Sequence, residues 1–166
     1  MSINDDYLAR ADTAEARLAA LAEAESQPGA LTSADPKSGE RWDRGQVWAH
    51  LAEFLPYWIA QAAPVLVGDA SGEPVPFGRM KGDPERLGAI ERDRREPVTD
   101  LWNDTRSDIA ALRTFLSDVA PEQWGARGVH PSMGVMTVDE LVEEFMVGHL
   151  EQHADQLADL SSPDGG

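Results

Sequence analysis

Along most of this chain the apolar positions return in the rhythm of a helix. Tyr7, Leu8, Ala11, Ala14, Leu18 and Leu21 recur three or four apart and form one core-facing stripe. This predicts a first helix ending near Ser26, ahead of Pro28 and Gly29. A second helix starts sharply. Asp43 stands at the N-cap, Gln46 completes a capping box, and Trp42 is placed to staple onto Val47. Its stripe is Val47, Leu51, Phe54, Trp58 and Ala62; Pro56 lies inside it and is expected to bend it locally, since proline lacks the backbone N–H.

Residues 67–84 hold four glycines and three prolines and read as a loop. A shorter helix follows, with Asp83 as cap and Pro84 at its first position. Val98, Leu101, Trp102, Thr105, Ile109, Leu112, Leu116 and Val119 mark another long helix, either kinked at Pro97 or starting there. The last stripe is Val138, Leu141, Val142, Phe145, His149 and Leu157. It opens on a Thr137 to Glu140 capping box, with Met136 stapled on Leu141. The connection 120–136 is long enough to hold a short turn at Pro121 to Trp124 and to close over a site. With no convincing alternating strand, the pattern predicts an all-α four-helix bundle. Residues 1–160 form its single domain and 161–166 a flexible tail.

Charge changes the picture by exclusion. Fourteen basic and thirty acidic residues give a formal charge of −16, a surface that repels phosphate backbones and anionic headgroups, so neither nucleic acid nor membrane is expected as a partner. Cysteine is absent, which rules out disulfides, thiolate nucleophiles and cysteine zinc sites. Any thiol chemistry needs a thiol brought in from outside. No apolar run approaches the length of a membrane span and the N-terminus is polar, so a cytoplasmic location is expected.

The candidate chemistry lies in the histidines. His149 and His153 are four apart, hence on one helical face a turn apart, and can present two imidazoles to one point. A third ligand must come from elsewhere, and His50 lies at the edge of the second helix's stripe. By helical rise, His50 is ~9 Å from its helix start and the pair ~17 and ~23 Å from theirs, in helices of ~34 Å. The three meet only if the second and fourth helices run antiparallel. Three neutral imidazoles around a divalent ion leave positions open for water or substrate, unlike a closed structural site. Acid below about pH 6 is expected to release such a metal. A di-iron design is excluded, because neither Met146 nor Leu150 supplies the glutamate it requires.

Trp42-Asp43 to His50-Leu51, the loop His130-Pro-Ser-Met-Gly-Val-Met-Thr, and His149-x3-His153-x2-Gln156-Leu157 together resemble the DinB-like (damage-inducible) superfamily. This superfamily includes mycothiol-dependent maleylpyruvate isomerases and bacillithiol-type S-transferases. The resemblance covers most of the chain. It implies a bundle in up, down, down, up order with the second and fourth helices antiparallel, and His50, His149 and His153 as ligands of zinc or nickel. It also implies a low-molecular-weight thiol as partner, mycothiol being favoured by the arginine-rich composition, and a small electrophile as substrate. A thiol bound to such an ion is deprotonated at neutral pH.

Other residues have two readings each. Glu53 is a proton carrier or hydrogen-bond partner of His50, or part of a solvated face; Gln156 is placed to bond an imidazole or a substrate. His130 either covers the metal or is a turn residue outside its ligand set. Trp48, Tyr57, Trp58 and Trp102 read as core. Arg79 and Arg127 are carboxylate binders or surface charge. Function is thus a metal-dependent thiol S-transferase or thiol-dependent isomerase; alternatives are a non-catalytic metal-containing binding or stress-response protein, or a bundle with histidine as core filler. A homodimer is expected from the apolar surface that tryptophans provide.

Overall fold

Ser2 caps the first helix through a reciprocal bond with Asp5, and α1 (Ile3–Glu23) buries Tyr7, Ala11, Ala14 and Leu18. The computed structural model describes residues 1–162. Most of the tail expected from 161 lies outside them, although Ser161 is the last residue of a helix.

The second helix, α2 (Arg44–Val67), starts at the Asp43–Gln46 capping box. It runs unbroken through Pro56 and Pro64, and Pro56 is exposed, so the bond it cannot make is lost on the solvent side. The stripe read from the sequence is buried, from Val47 through Ala62. Arg44 at its N-terminus donates to the carbonyls of Leu21, Ala22 and Ala24 where α1 ends and carbonyls run short of backbone donors. After the strand β1 (Val75–Pro76), Asp83 caps α3 (Pro84–Asp93). The next helix, α4 (Val98–Asp118), starts after Pro97, which resolves the alternative of a kink.

The connection to the last helical segment is structured. A short 3-10 turn, Pro121–Gly125, stands where a turn was expected. Beyond it β2 (Arg127–His130) and β3 (Gly134–Thr137) form an antiparallel hairpin, and β1 pairs parallel to β2. The chain is therefore mostly helical, so the all-α expectation broadly fits, with a small three-stranded sheet that it did not include. The strands are two and four residues long, too short for an alternating pattern to register.

The last stripe divides in two. Thr137 caps α5 (Val138–Phe145), and α6 (Val147–Ser161) follows after Met146, whose φ −123° and ψ −89° leave the helical region. Gly148 sits against the kink, and a β-carbon there would collide with the carbonyl oxygen of Glu143.

α1 packs on α4 and α6, while α2 packs on α3, α4, α5 and α6. Ring contacts fix the sense of the α2 packing. Trp42 lies beside His153, Phe54 beside His149, and Trp58 stacks on Phe145 at 4.0 Å. Ascending positions on one side meet descending positions on the other, so α2 runs against α5 and α6. Trp48, Trp58 and Trp102 belong to the core, and Tyr57 packs at its edge.

Candidate metal centre

The antiparallel packing carries His50, less than two turns into α2, to the first turns of α6. His50 and His153 are buried and His149 is partly exposed. The Nε2 atoms of His50 and His149 are 2.9 Å apart, and those of His153 and His149 are 3.0 Å apart. One nitrogen from each of the three rings lies within 4.8 Å of the others.

The outer nitrogens define what the inner ones can do. His50 Nδ1 is 2.9 Å from Glu53 Oε1, and His153 Nδ1 is 2.7 Å from Gln156 Oε1. Both oxygens accept, so both rings carry their proton on Nδ1 and turn an Nε2 lone pair to the centre. A neutral His149 has one N–H and can satisfy at most one of these lone pairs. Three imidazoles facing inward leave buried acceptors without a donor, which a divalent cation supplies. The donor set therefore fits a metal ion.

Burial pushes all three imidazoles below their ordinary range. His50 lies well below it, from burial and then from His153, Arg86, Arg79 and Lys81. His149 lies well below it too, from burial and then from His153, His50 and Arg86. For His153 burial brings the value down to about 4, against the effect of the bond that its Nδ1 donates to Gln156. Each ring is thus neutral and available as a ligand at neutral pH.

Glu53 is itself held. Arg79 Nη2 donates to both its oxygens at 2.6 and 2.7 Å, and the guanidinium lies 4.0 Å over the Tyr57 ring. Burial pushes the Glu53 carboxyl above its usual range, with Arg79 acting against it. The Arg79 side chain is 9 % exposed and the Glu53 side chain 12 %, which excludes both the solvated face for Glu53 and surface charge for Arg79. Arg127, by contrast, is exposed and donates to the Gly72 carbonyl.

His130 lies apart from the triad. Its Nδ1 accepts from the backbone N–H groups of Ser132 and Met133, and its Nε2 donates to the Arg79 carbonyl at 3.2 Å. It closes the β2–β3 turn and ties that hairpin to the Arg79 loop, packed among Trp58, Phe77 and Phe145. Gly78, with φ +94°, lets this loop pass over the ring where a side chain would collide.

Two residues near the centre escaped the sequence reading. Trp42, read as a helix staple and as part of the motif that carries the resemblance but given no place at the site, stacks along His153 with centroids 6.1 Å apart and meets His50 edge-on at 5.2 Å. Arg86, buried on α3, lies 5.2 Å from the Trp42 ring. The only available signal was a basic residue one turn after a strong helix cap, which many surface helices share.

Among curated proteins and among solved structures, nothing matches the chain. A family profile does match, over residues 7–157, a span that contains the three histidines, the hairpin and the whole of α2, α3, α4 and α5. On that match the chain belongs to the DinB superfamily.

Proposed function

We propose that His50, His149 and His153 hold a divalent metal ion, zinc or nickel, and that the protein uses it to transfer a low-molecular-weight thiol onto a small electrophile, or to isomerise that electrophile through a thiol adduct. One observation carries the reading: three Nε2 atoms converge while Glu53 and Gln156 occupy the outer nitrogens of two of the rings. A bound divalent ion acts as a Lewis acid that lowers the pKa of a thiol or water placed on it. The chain supplies the rest. Glu53 and Gln156 fix ring tautomers, Arg79 holds Glu53 in place, and Trp42 and Phe54 wall the histidines from water. Glu53 is also the nearest carboxylate able to take or return a proton. No cysteine competes with an incoming thiol, and mycothiol is the thiol we favour.

In this reading residues 1–160 form one domain, a four-helix bundle in up, down, down, up order that counts α5 and α6 as one kinked helix. Cross-helix ties support it. Asn4 reaches the carbonyls of Leu116 and Val119, and Arg113 reaches Asp12 and Glu15, as in antiparallel helices. Arg10 to Glu143 and Arg17 to Asp155 rise together, as in parallel ones. Among the described residues no helix is long and apolar enough to cross a membrane. A cytoplasmic location and a homodimer complete the proposal.

The test is metal content and affinity. Protein purified without a histidine tag should carry near-stoichiometric metal by elemental analysis. Zinc calorimetry should show His50→Ala losing at least about a hundredfold in affinity with helicity retained, and His130→Ala losing far less. Thiol-dependent consumption of monobromobimane then separates an enzyme from a binding protein. Unchanged affinity in His50→Ala removes the triad assignment.

A further inference from the structure

Three cations approach the histidine cluster in a protein whose formal charge is −16. Two are matched by carboxylates: Arg79 by Glu53, and Lys81 by Asp35 at 2.5 Å. Arg86 is different. Its Nη1 donates to the Lys81 carbonyl at 2.6 Å, and its one ion-pair partner among the described residues, Glu40 Oε1, is 3.7 Å away, beyond a hydrogen bond. The other Glu40 oxygen is occupied by the Trp42 indole N–H at 3.1 Å. The Arg86 side chain is 9 % exposed, so most of it is withdrawn from bulk water over the Trp42 face, while the guanidinium nitrogens that bond no protein atom keep a path to solvent. Its charge reaches all three imidazoles.

A largely desolvated cation is held at a cost that an anion reaching its open donors reduces, and a dication in the triad would add like-charge repulsion. Both costs fall when a carboxylate enters between them, since guanidinium donors match carboxylate oxygens two to two. Resting on the metal reading above, we propose that Arg86 is the anion-binding residue of this centre and that the reactants include a carboxylate-bearing molecule. The carboxylate belongs either to the thiol or to the electrophile. Arg86 grips it on the Trp42 side of the triad and orients the reacting end toward the histidines.

The test uses full-length protein loaded with zinc, as parent, R86Q and R86K, followed by calorimetry and tryptophan fluorescence. One pair of probes is 2-mercaptoethanol and 3-mercaptopropionate. The other is propionamide and propionate, added to protein already saturated with 2-mercaptoethanol. In the parent, one carboxylate probe should bind about tenfold tighter than its neutral counterpart, the worth of one charge-assisted contact. An advantage in the first pair assigns the carboxylate to the thiol, and in the second to the electrophile. That advantage should vanish in R86Q and shrink in R86K, which keeps the charge without the planar fork. Zinc affinity in R86Q should equal or exceed the parent's, because a cation has left the side of a dication. A carboxylate advantage that survives in both variants overturns the proposal, as does zinc binding lost in R86Q, which marks a structural role. A parent that binds zinc but shows no carboxylate preference overturns this proposal alone. A parent that binds no zinc overturns the metal reading and this one with it.

Discussion

His50 and His153 face the same point, yet different oxygens hold their outer nitrogens. Glu53 offers a carboxylate fixed by Arg79, and Gln156 a neutral amide. The carboxylate and the amide each hold a ring with its proton on Nδ1, the first carrying a charge that Arg79 fixes and the second carrying none. Both partners sit one turn beyond their histidine, so helical spacing made them readable, whereas Arg79 arrives from a loop twenty-six residues away in sequence and no local pattern announces it. Burial without a partner has the opposite effect at Asp108. This side chain is half-buried on α4, has no hydrogen-bond or ion-pair partner among the described residues, and is raised to about 6 by burial and then by Asp104. A folded value above the unfolded one means the native state binds the extra proton below pH 6, so stability falls as pH rises from near 4 through 6 and stays lower above. Asp108→Asn should therefore raise stability by about 1 kcal/mol at pH 7, discounted for exposure, and by much less at pH 4. Urea denaturation at the two pH values checks this; an equal gain at both means the carboxylate charge is not the cause.

At the scale of elements, capping chemistry was the most legible signal. Asp43 with Gln46, Thr137 with Glu140, and Asp83 before Pro84 each mark an observed helix start. The hairpin was not legible, because its pairing is set by the partners Gly128 to Met136 and His130 to Gly134 rather than by a hydrophobic pattern. The break at Met146 was hidden as well. The stripe read from the sequence runs across it from Phe145 to His149, and a single glycine inside a helical pattern is ordinarily tolerated. In the structure Gly148 is the residue that lets the chain turn against Glu143, and it immediately precedes His149. Gly148→Ala should cost about 1–3 kcal/mol, since the collision is with backbone that cannot swing away. It should also displace His149 enough to weaken zinc binding. Thermal scans paired with zinc calorimetry check both effects; a stable variant with parental zinc affinity would mean the kink does not position the ligand.

For the whole molecule, the three histidines couple folding to metal and to acid. His50 and His149 are ninety-nine residues apart in sequence, so the site exists only when α2 and α6 are packed, and an ion bound there stabilises the native chain by mass action. At free zinc one hundred times the dissociation constant the gain is about 2.7 kcal/mol, which for a chain of this length raises Tm by about 5–11 °C. The pH dependence follows from burial. The folded imidazoles lie below their unfolded value near 6.5, His153 at about 4, so as pH falls the unfolded chain takes up protons that the native one refuses. The metal-free protein thus loses stability from pH 6.5 downward, with His153's share lost by about pH 4, and above pH 6.5 the histidines contribute no slope. Because burial holds the native rings below their unfolded range, protons should compete with zinc less near pH 6, where the sequence reading expects metal release, than they would at exposed imidazoles. The zinc-induced rise in Tm should therefore persist at pH 5.5 at nearly its value at pH 7.5, on a lower baseline, and be absent from His50→Ala at both. Scanning calorimetry of the parent and variant with and without zinc decides it: an increment that disappears by pH 6 in the parent would mean the imidazoles titrate as exposed groups, and that the packing of Trp42 and Phe54 does not shield them from water.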